Sequence, residues 1–197
     1  MNQIDSSTLF FAAIFTNNIL LTNFLGLCPF LSISRNLRSA FGLGLAVVFV
    51  MSSTAALNYL VYYHILQPFH LEHFRYIVFI IIIAGFVQLV EMLVERYFPP
   101  LYYMLGIFLP LITVNCAVLG VSLFMIIREY TLVQSIAYGA GSGIGWLVAI
   151  IAIGAIREKI QKNRNLPKGL EGPAITLIIT GILSLAFIVF SGMVRVQ

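Results

Sequence analysis

Charge is what this chain has least of. Of its 197 residues 9% are Asp, Glu, Lys or Arg, while 60% are hydrophobic. An ordinary soluble domain carries about 25% charged residues, so this chain cannot clothe a water-facing surface and reads as an integral membrane protein. Cysteine is nearly absent, Cys28 and Cys116 being the whole complement. That excludes a disulfide framework. Because both cysteines fall inside apolar stretches rather than in an aqueous loop, a single structural bridge is disfavoured too. The opening residues, Met1-Asn-Gln-Ile-Asp5, lack the basic lead of a secretory signal, so the first apolar stretch is expected to stay as a membrane span. The net charge of +4 then reflects basic loops gathered on one side of a membrane, not acidic or nucleic-acid partners.

What is present is apolar sequence in lengths that fit a bilayer. A hydrocarbon core about 30 Å thick needs about 20 apolar residues per helix. Stretches at about 8–33, 40–63, 75–95, 101–127, 132–155 and 173–194 meet that requirement. They predict an all-α protein with six transmembrane helices in one membrane domain, residues 1–197. Eight basic residues (Arg35, Arg38, Arg96, Arg157, Lys159, Lys162, Arg164 and Lys168) follow the first, third and fifth spans; Arg75, Arg128 and Arg195 lie on the other side. The positive-inside rule places the larger group in the cytoplasm and both termini outside.

The two halves echo each other. Asn23 and Cys28 in the first span have a counterpart in Asn115-Cys116 of the fourth. Ala40-Phe-Gly-Leu-Gly44, opening the second span, has one in Ala137-Tyr-Gly-Ala-Gly141 of the fifth. A unit with three spans must insert its second copy upside down, so the pattern implies two inverted three-helix repeats, about 8–98 and 99–194. The first and fourth spans are expected to be interrupted. Pro29 biases Cys28 away from the α region, beside the permissive Gly26. Pro110 removes a backbone hydrogen bond and clashes one turn upstream, and Asn115 is placed to cap a restarted half-helix. Breaks of this kind let helix N-termini aim partial positive charge at an anionic centre in the membrane. An iron–sulfur cluster is such a centre, but it takes four protein ligands, so two cysteines require a partner chain to supply the rest. The plainer reading is that both are small buried residues.

Other features divide between packing and chemistry. Glu91 and Glu95 lie one turn apart in the third span with Gln88 on nearly the same face, and an ionisable group inside a membrane helix is a functional candidate by default. Glu95 adjoins Arg96 at the cytoplasmic end, where it can pair locally. Glu91 lies deeper and is the candidate for an ion path. Gly139-Ala-Gly-Ser-Gly-Ile-Gly145 lacks the Lys-Ser/Thr of a phosphate loop and reads as close helix packing, as do Gly42 and Gly44. His64, His70 and His73 are expected in an outer loop around Pro68, with no helical face to organise a metal site. Arg157-Glu-Lys159 and the basic residues to Lys168 read as solvated inside-face charges.

Several blocks together resemble one membrane family over essentially the whole chain. They are Asn23-Phe-Leu-Gly-Leu-Cys28, Phe98-Pro-Pro-Leu-Tyr102, residues 105–120, Gly141-Ser-Gly-Ile-Gly-Trp146, Ile156-Arg-Glu-Lys159 and Ser191-Gly192. The family comprises NqrD and NqrE of the sodium-translocating NADH:quinone reductase, and RnfA and RnfE of the Rnf complex. Arg128-Glu-Tyr130 and the Gly-Ser-Gly-Ile-Gly-Trp run are closer to NqrE. Asn17-Asn18 and Leu27-Cys28-Pro29-Phe30 are closer to RnfA.

The resemblance implies a six-helix protein of the bacterial inner membrane that pairs with a homologous chain of opposite orientation, NqrD or RnfE. It implies a 2Fe–2S cluster shared across that pair, with Cys28 and Cys116 as two of its ligands and flavins and NADH on other members of the complex. Asn23, Gly26, Thr113 and Asn115, with backbone amides at the breaks, are then the residues expected to surround the cluster. The chain would act as an electron relay in an ion-translocating NADH:quinone oxidoreductase that reduces ubiquinone and moves sodium. It would have no catalytic pocket of its own. Rival readings are electron transport to or from ferredoxin and NAD in the Rnf complex, a secondary ion transporter that uses Glu91 and in which the cysteines are incidental, and a purely structural membrane scaffold for larger subunits.

Overall fold

Between helices in lipid there is no hydrophobic driving force, so association depends on close approach at small residues and on interhelical hydrogen bonds. Both dominate the computed structural model of this chain, which describes residues 5–33, 37–97, 109–162 and 173–191. All regular elements among the described residues are helical. They are α1 (Ser6–Ile14), α2 (Leu27–Ile33), α3 (Leu37–Val61, continued by a π-helical turn Tyr62–Leu66), a 3₁₀ turn (Glu72–Phe74), α4 (Arg75–Tyr97), α5 (Leu109–Thr113), α6 (Cys116–Ile127), α7 (Leu132–Lys162) and α8 (Pro173–Ser191). Among the described residues four stretches are long and apolar enough to cross a membrane: Ser39–Leu66, Arg75–Tyr97, Pro110–Ile127 and Leu132–Ile160; Ala174–Val189 is a shorter apolar helix. The segment 8–33 does not form one helix, because turns over residues 15–26 separate α1 from α2. The blocks at 98–102 and 105–108, together with Arg35, Arg164, Lys168, Gly192 and Arg195, lie outside the described residues.

The core is built on α7, whose glycines serve two neighbours. A methyl group at Gly139 would come within 3.0 Å of the Met51 carbonyl and of Ala55 Cβ, one at Gly143 within 2.8 Å of Val48 Cα, and one at Gly44 would run into Leu147. Numbers rise along α7 as they fall along α3, so the two helices are antiparallel. On another face, a methyl group at Gly141 would meet the Phe10 carbonyl at 2.8 Å, and one at Gly145 the Ile14 carbonyl at 3.0 Å. Here the numbers rise together, so α1 runs parallel to α7. The four-residue spacing within each pair is what keeps each on its own face. The expectation of close packing at this glycine run is met.

Hydrogen bonds add to the grip. Asn58 on α3 donates to Ser122 on α6 at 2.7 Å, and Ser122 donates in turn to the Val118 carbonyl at 3.1 Å. Ser184 on α8 donates to the Leu21 carbonyl at 2.6 Å. At the turn between α6 and α7, Arg128 lies over the Phe124 and Tyr138 rings and donates to the Tyr130 hydroxyl at 3.2 Å. With the Asn17 amide turned so that its oxygen faces the guanidinium, Asn17 accepts from Arg128 at 3.0 and 3.2 Å. That contact joins Asn17 to the Arg128–Tyr130 block. By contrast α4 buries only the stripe Phe79, Ile83 and Val87, and leaves Ile77, Ile80, Ile81, Leu89 and Met92 exposed. A face of that kind is made for lipid or another protein helix.

Three expectations are corrected. Pro29 does not turn Cys28 out of the α region: α2 already begins at Leu27, so Pro29 stands in the first turn, where its missing N–H costs nothing. His64 is not in a loop but in the π-helical turn at the end of α3; His70 lies in a turn with φ +52 and His73 in the 3₁₀ turn. Arg157 is not a solvated charge. It is 2% exposed and donates through Nη1 to the Leu31 carbonyl at 3.5 Å, in the last turn of α2, where carbonyls have no partner within the helix.

Candidate functional site

The first break is a knot of twelve residues, 15–26. Its backbone groups are met partly from within, by Asn18 and by Thr22 and Leu25 N–H bonds, and partly by Cys116, Trp146 and Ser184, as hydrocarbon requires. Asn18 is its centre and is 1% exposed. Its amide oxygen accepts from the Leu20 and Leu21 N–H groups at 3.1 and 3.4 Å. Its amide nitrogen donates to the Ile14 carbonyl at 3.2 Å and across to the Gly145 carbonyl of α7 at 2.8 Å. The knot ends in two residues of positive φ, Phe24 at +55 and Gly26 at +85. A bulky residue in the left-handed region is held there only by surrounding structure; for Gly26 the conformation is natural. Chain direction is then reset for α2, which carries Cys28 in its first turn.

The second break falls at Val114–Asn115, four residues beyond Pro110, and Asn115 is its cause. With φ −73 and ψ 112, Asn115 caps α6, its side-chain oxygen accepting from the Ala117 N–H at 3.0 Å. This is the capping that the Asn-Cys pair predicts. Cys116 is the first residue of α6, so its sulfur sits at the positive end of the helix dipole.

The two breaks meet. The Gly26 N–H donates to Cys116 Sγ at 2.9 Å, across 90 residues of sequence. A side chain at Gly26 would have no room: a Cβ there would lie 2.7 Å from Trp146 Nε1, 3.0 Å from Ala117 Cβ and 3.0 Å from Asn115 Oδ1. Trp146, fully buried in α7, makes a long hydrogen bond to the Gly26 carbonyl at 3.4 Å.

Both thiols are free, Cys28 exposed and Cys116 half-buried. Phe24 and Val114, four and two residues before the cysteines in sequence, are 48% and 74% exposed, so apolar surface lies open on both breaks. Among the described residues no group of three or more His, Cys, Asp and Glu side chains gathers to hold a metal. This chain therefore offers two sulfur donors. The donor set fits half of a four-thiolate site. One further atom fits an electron-rich neighbour: Asn115 Nδ2 is buried and has no hydrogen-bond partner among the described residues, a costly state for a donor unless something else accepts from it.

The remaining predicted residues are placed as follows. Asn23 is exposed in the knot and Thr113 is half-buried at the end of α5. Glu91, half-buried, continues the inward stripe Phe79–Ile83–Val87 by one turn, while Glu95 and Gln88 are exposed. Asn18, Gly145 and Trp146, which shape the site, enter the sequence reading as packing or resemblance residues and not as site residues. The available signal is Trp146 itself, the single tryptophan of the chain, lodged at the end of a glycine run that otherwise has no need of a bulky neighbour.

Comparison with known proteins gives a consistent result. The profile of a family described as "Rnf-Nqr subunit, membrane protein" matches residues 6–194. The E subunit of the Na(+)-translocating NADH-quinone reductase of Proteus mirabilis is 47% identical over 191 residues, covering 94% of this chain and 96% of that protein. Its namesake in Yersinia enterocolitica is 49% identical over the same length and coverage. The A subunit of the Na(+)-translocating ferredoxin:NAD(+) oxidoreductase complex of Acetobacterium woodii is 47% identical over 182 residues, 92% of this chain and 94% of that protein.

Proposed function

This chain belongs to the Rnf-Nqr family of membrane subunits, and from that membership we propose that it is the electron-relay component of a sodium-translocating NADH:quinone reductase. In this reading Cys28 and Cys116 supply two ligands of a 2Fe–2S cluster within the membrane, and a homologous chain of opposite orientation supplies the other two. The single observation that carries it is the Gly26 N–H on Cys116 Sγ. Two interrupted segments, far apart in sequence, meet where the Gly26 amide touches Cys116, with Cys28 two residues beyond Gly26. A protein pays for such breaks in hydrocarbon only where they serve something.

The need for a relay is one of distance. Electrons from NADH must cross about 30 Å of hydrocarbon, and the bound cluster would accept and pass on one electron at a time between the two faces. The chain's own residues do the holding. The knot at 15–26 and the Asn115 cap set the two half-helices, the open apolar face at Phe24 and Val114 admits the partner, and Asn115 Nδ2 is left to donate towards sulfur. Six spans in two inverted halves are part of the same proposal. The directions support it, since α1 parallel and α3 antiparallel to α7 is the parity that six alternating crossings require. The cytoplasmic orientation of the basic loops and a sodium path past Glu91 belong here as well.

A second reading has support of equal weight, because the Acetobacterium relative named for ferredoxin and NAD(+) is as similar as the quinone-reductase relatives. In it the same relay serves an Rnf-type complex. Iron content of the purified complex tests what the two readings share. Cys28→Ser and Cys116→Ser each remove the iron of one 2Fe–2S cluster per complex; unchanged iron and unchanged electron transfer in both variants would leave the cysteines as packing residues.

A further inference from the structure

We propose that Trp146 is a positioning residue that holds the Gly26 amide on the sulfur of Cys116 and so raises the reduction potential of the cluster. The proposal rests on the reading of Cys116 as a cluster ligand given above. The Gly26 N–H reaches Cys116 Sγ at 2.9 Å with Gly26 held at φ +85. Glycine visits both signs of φ about equally, so this conformation needs an outside restraint. Trp146 supplies it twice. Its Nε1 lies 2.7 Å from the point where a Gly26 Cβ would stand, and the same N–H donates to the Gly26 carbonyl at 3.4 Å. Contact and hydrogen bond thus act on the Cα and on the peptide that follows, leaving the preceding N–H aimed at sulfur.

Trp146 can act as a fixed wall because it is completely buried and stands on α7, the most buried of the long helices. The adjacent Gly145 carbonyl takes the Asn18 amide at 2.8 Å. One dipeptide of α7, Gly145-Trp146, therefore grips the knot near its beginning and at its end. Hydrogen bonds to ligand sulfurs tune the potential of iron–sulfur centres. A donor on sulfur favours the more electron-rich, reduced state, so losing it lowers the potential. A tryptophan that merely fills space would alter the yield or melting temperature of the complex and leave the potential where it was.

The test is an EPR-monitored redox titration of the intact purified complex, wild type against Trp146→Phe. At the wild-type midpoint potential the ratio of reduced to oxidised cluster should fall about tenfold in Trp146→Phe, equivalent to about 59 mV for a one-electron couple. A wild-type midpoint in a Trp146→Phe complex that retains its cluster would overturn the proposal. Should Trp146→Phe fail to assemble, wild-type complex grown with ¹⁵N-glycine answers instead. A ¹⁵N hyperfine coupling on the reduced cluster is expected from Gly26, and its absence would overturn the proposal. A wild-type complex without any cluster signal overturns the relay reading and this proposal with it.

Discussion

Gly26 and Cys116 are joined by one hydrogen bond, N–H to sulfur at 2.9 Å, and around that bond the residues of four helices are fitted. Gly26 leads into α2, Cys116 opens α6, Trp146 comes from α7, and the Asn18 knot extends from the end of α1. Substitutions at this junction should therefore cost more than burial alone suggests.

Gly26→Ala combines two penalties. A left-handed conformation costs an ordinary residue about 1–2 kcal/mol, and the added methyl group would meet Trp146 Nε1 at 2.7 Å, an overpacking worth about 1–3 kcal/mol. A loss of roughly 3 kcal/mol is expected from the two together, seen as a lower melting temperature of the detergent-purified complex together with loss of iron. A melting temperature equal to that of the wild type would show that the loop has other room.

Asn18→Ala leaves the Leu20 and Leu21 N–H groups without their partner and removes the cross-link to the Gly145 carbonyl, which keeps its own bond within α7. Buried groups left unsatisfied cost about 1–3 kcal/mol. The variant should melt earlier and become sensitive to protease between α1 and α2. Protection of that segment equal to wild type would mean that the knot is held by Ser184 and the backbone alone.

Glycines on the same chain should respond in opposite ways. Gly141→Ala forces a methyl group to 2.8 Å from the Phe10 carbonyl, a backbone atom that cannot rotate aside, and should destabilise by about 1–3 kcal/mol. Gly85 in α4 has nothing within 4 Å of the same position, so Gly85→Ala should be neutral or stabilising by up to about 1 kcal/mol. Equal effects in a thermal assay would contradict the packing described for α7.

Substitution at Glu91 tests the proposed ion path separately from the proposed relay. Glu91→Gln keeps the size of a side chain that lies one turn beyond Val87 on the inward stripe of α4, so iron content should be unchanged. If the residue lines a sodium path, sodium uptake into proteoliposomes per electron transferred falls severalfold. Uptake at the wild-type ratio would remove Glu91 from the path.

Much of this arrangement is legible in the sequence because hydrocarbon makes polar residues conspicuous. Asn115 before Cys116 announces a capped restart, and the spaced glycines of 139–145 announce close approach, since each feature acts locally through its own backbone. Pro29 misleads: α2 begins two residues earlier, and a proline in a first turn breaks nothing. Arg157 reads as a loop charge next to Glu158 and Lys159, yet it folds against the Leu31 carbonyl, a contact set by where α2 ends. Asn18 and Trp146 escape notice as site residues for the same reason. Their partners, Gly145 and Gly26, are 127 and 120 residues away, and no local pattern brings such pairs together.

The proposed relay stands or falls with iron on Cys28 and Cys116, which quantitative EPR of the reduced, purified complex carrying Cys116→Ser or Cys28→Ser reads without any intermediate step. Each variant should lose the 2Fe–2S signal and electron transfer to quinone while the complex still assembles. A full-intensity signal with wild-type line shape in both would contradict the account.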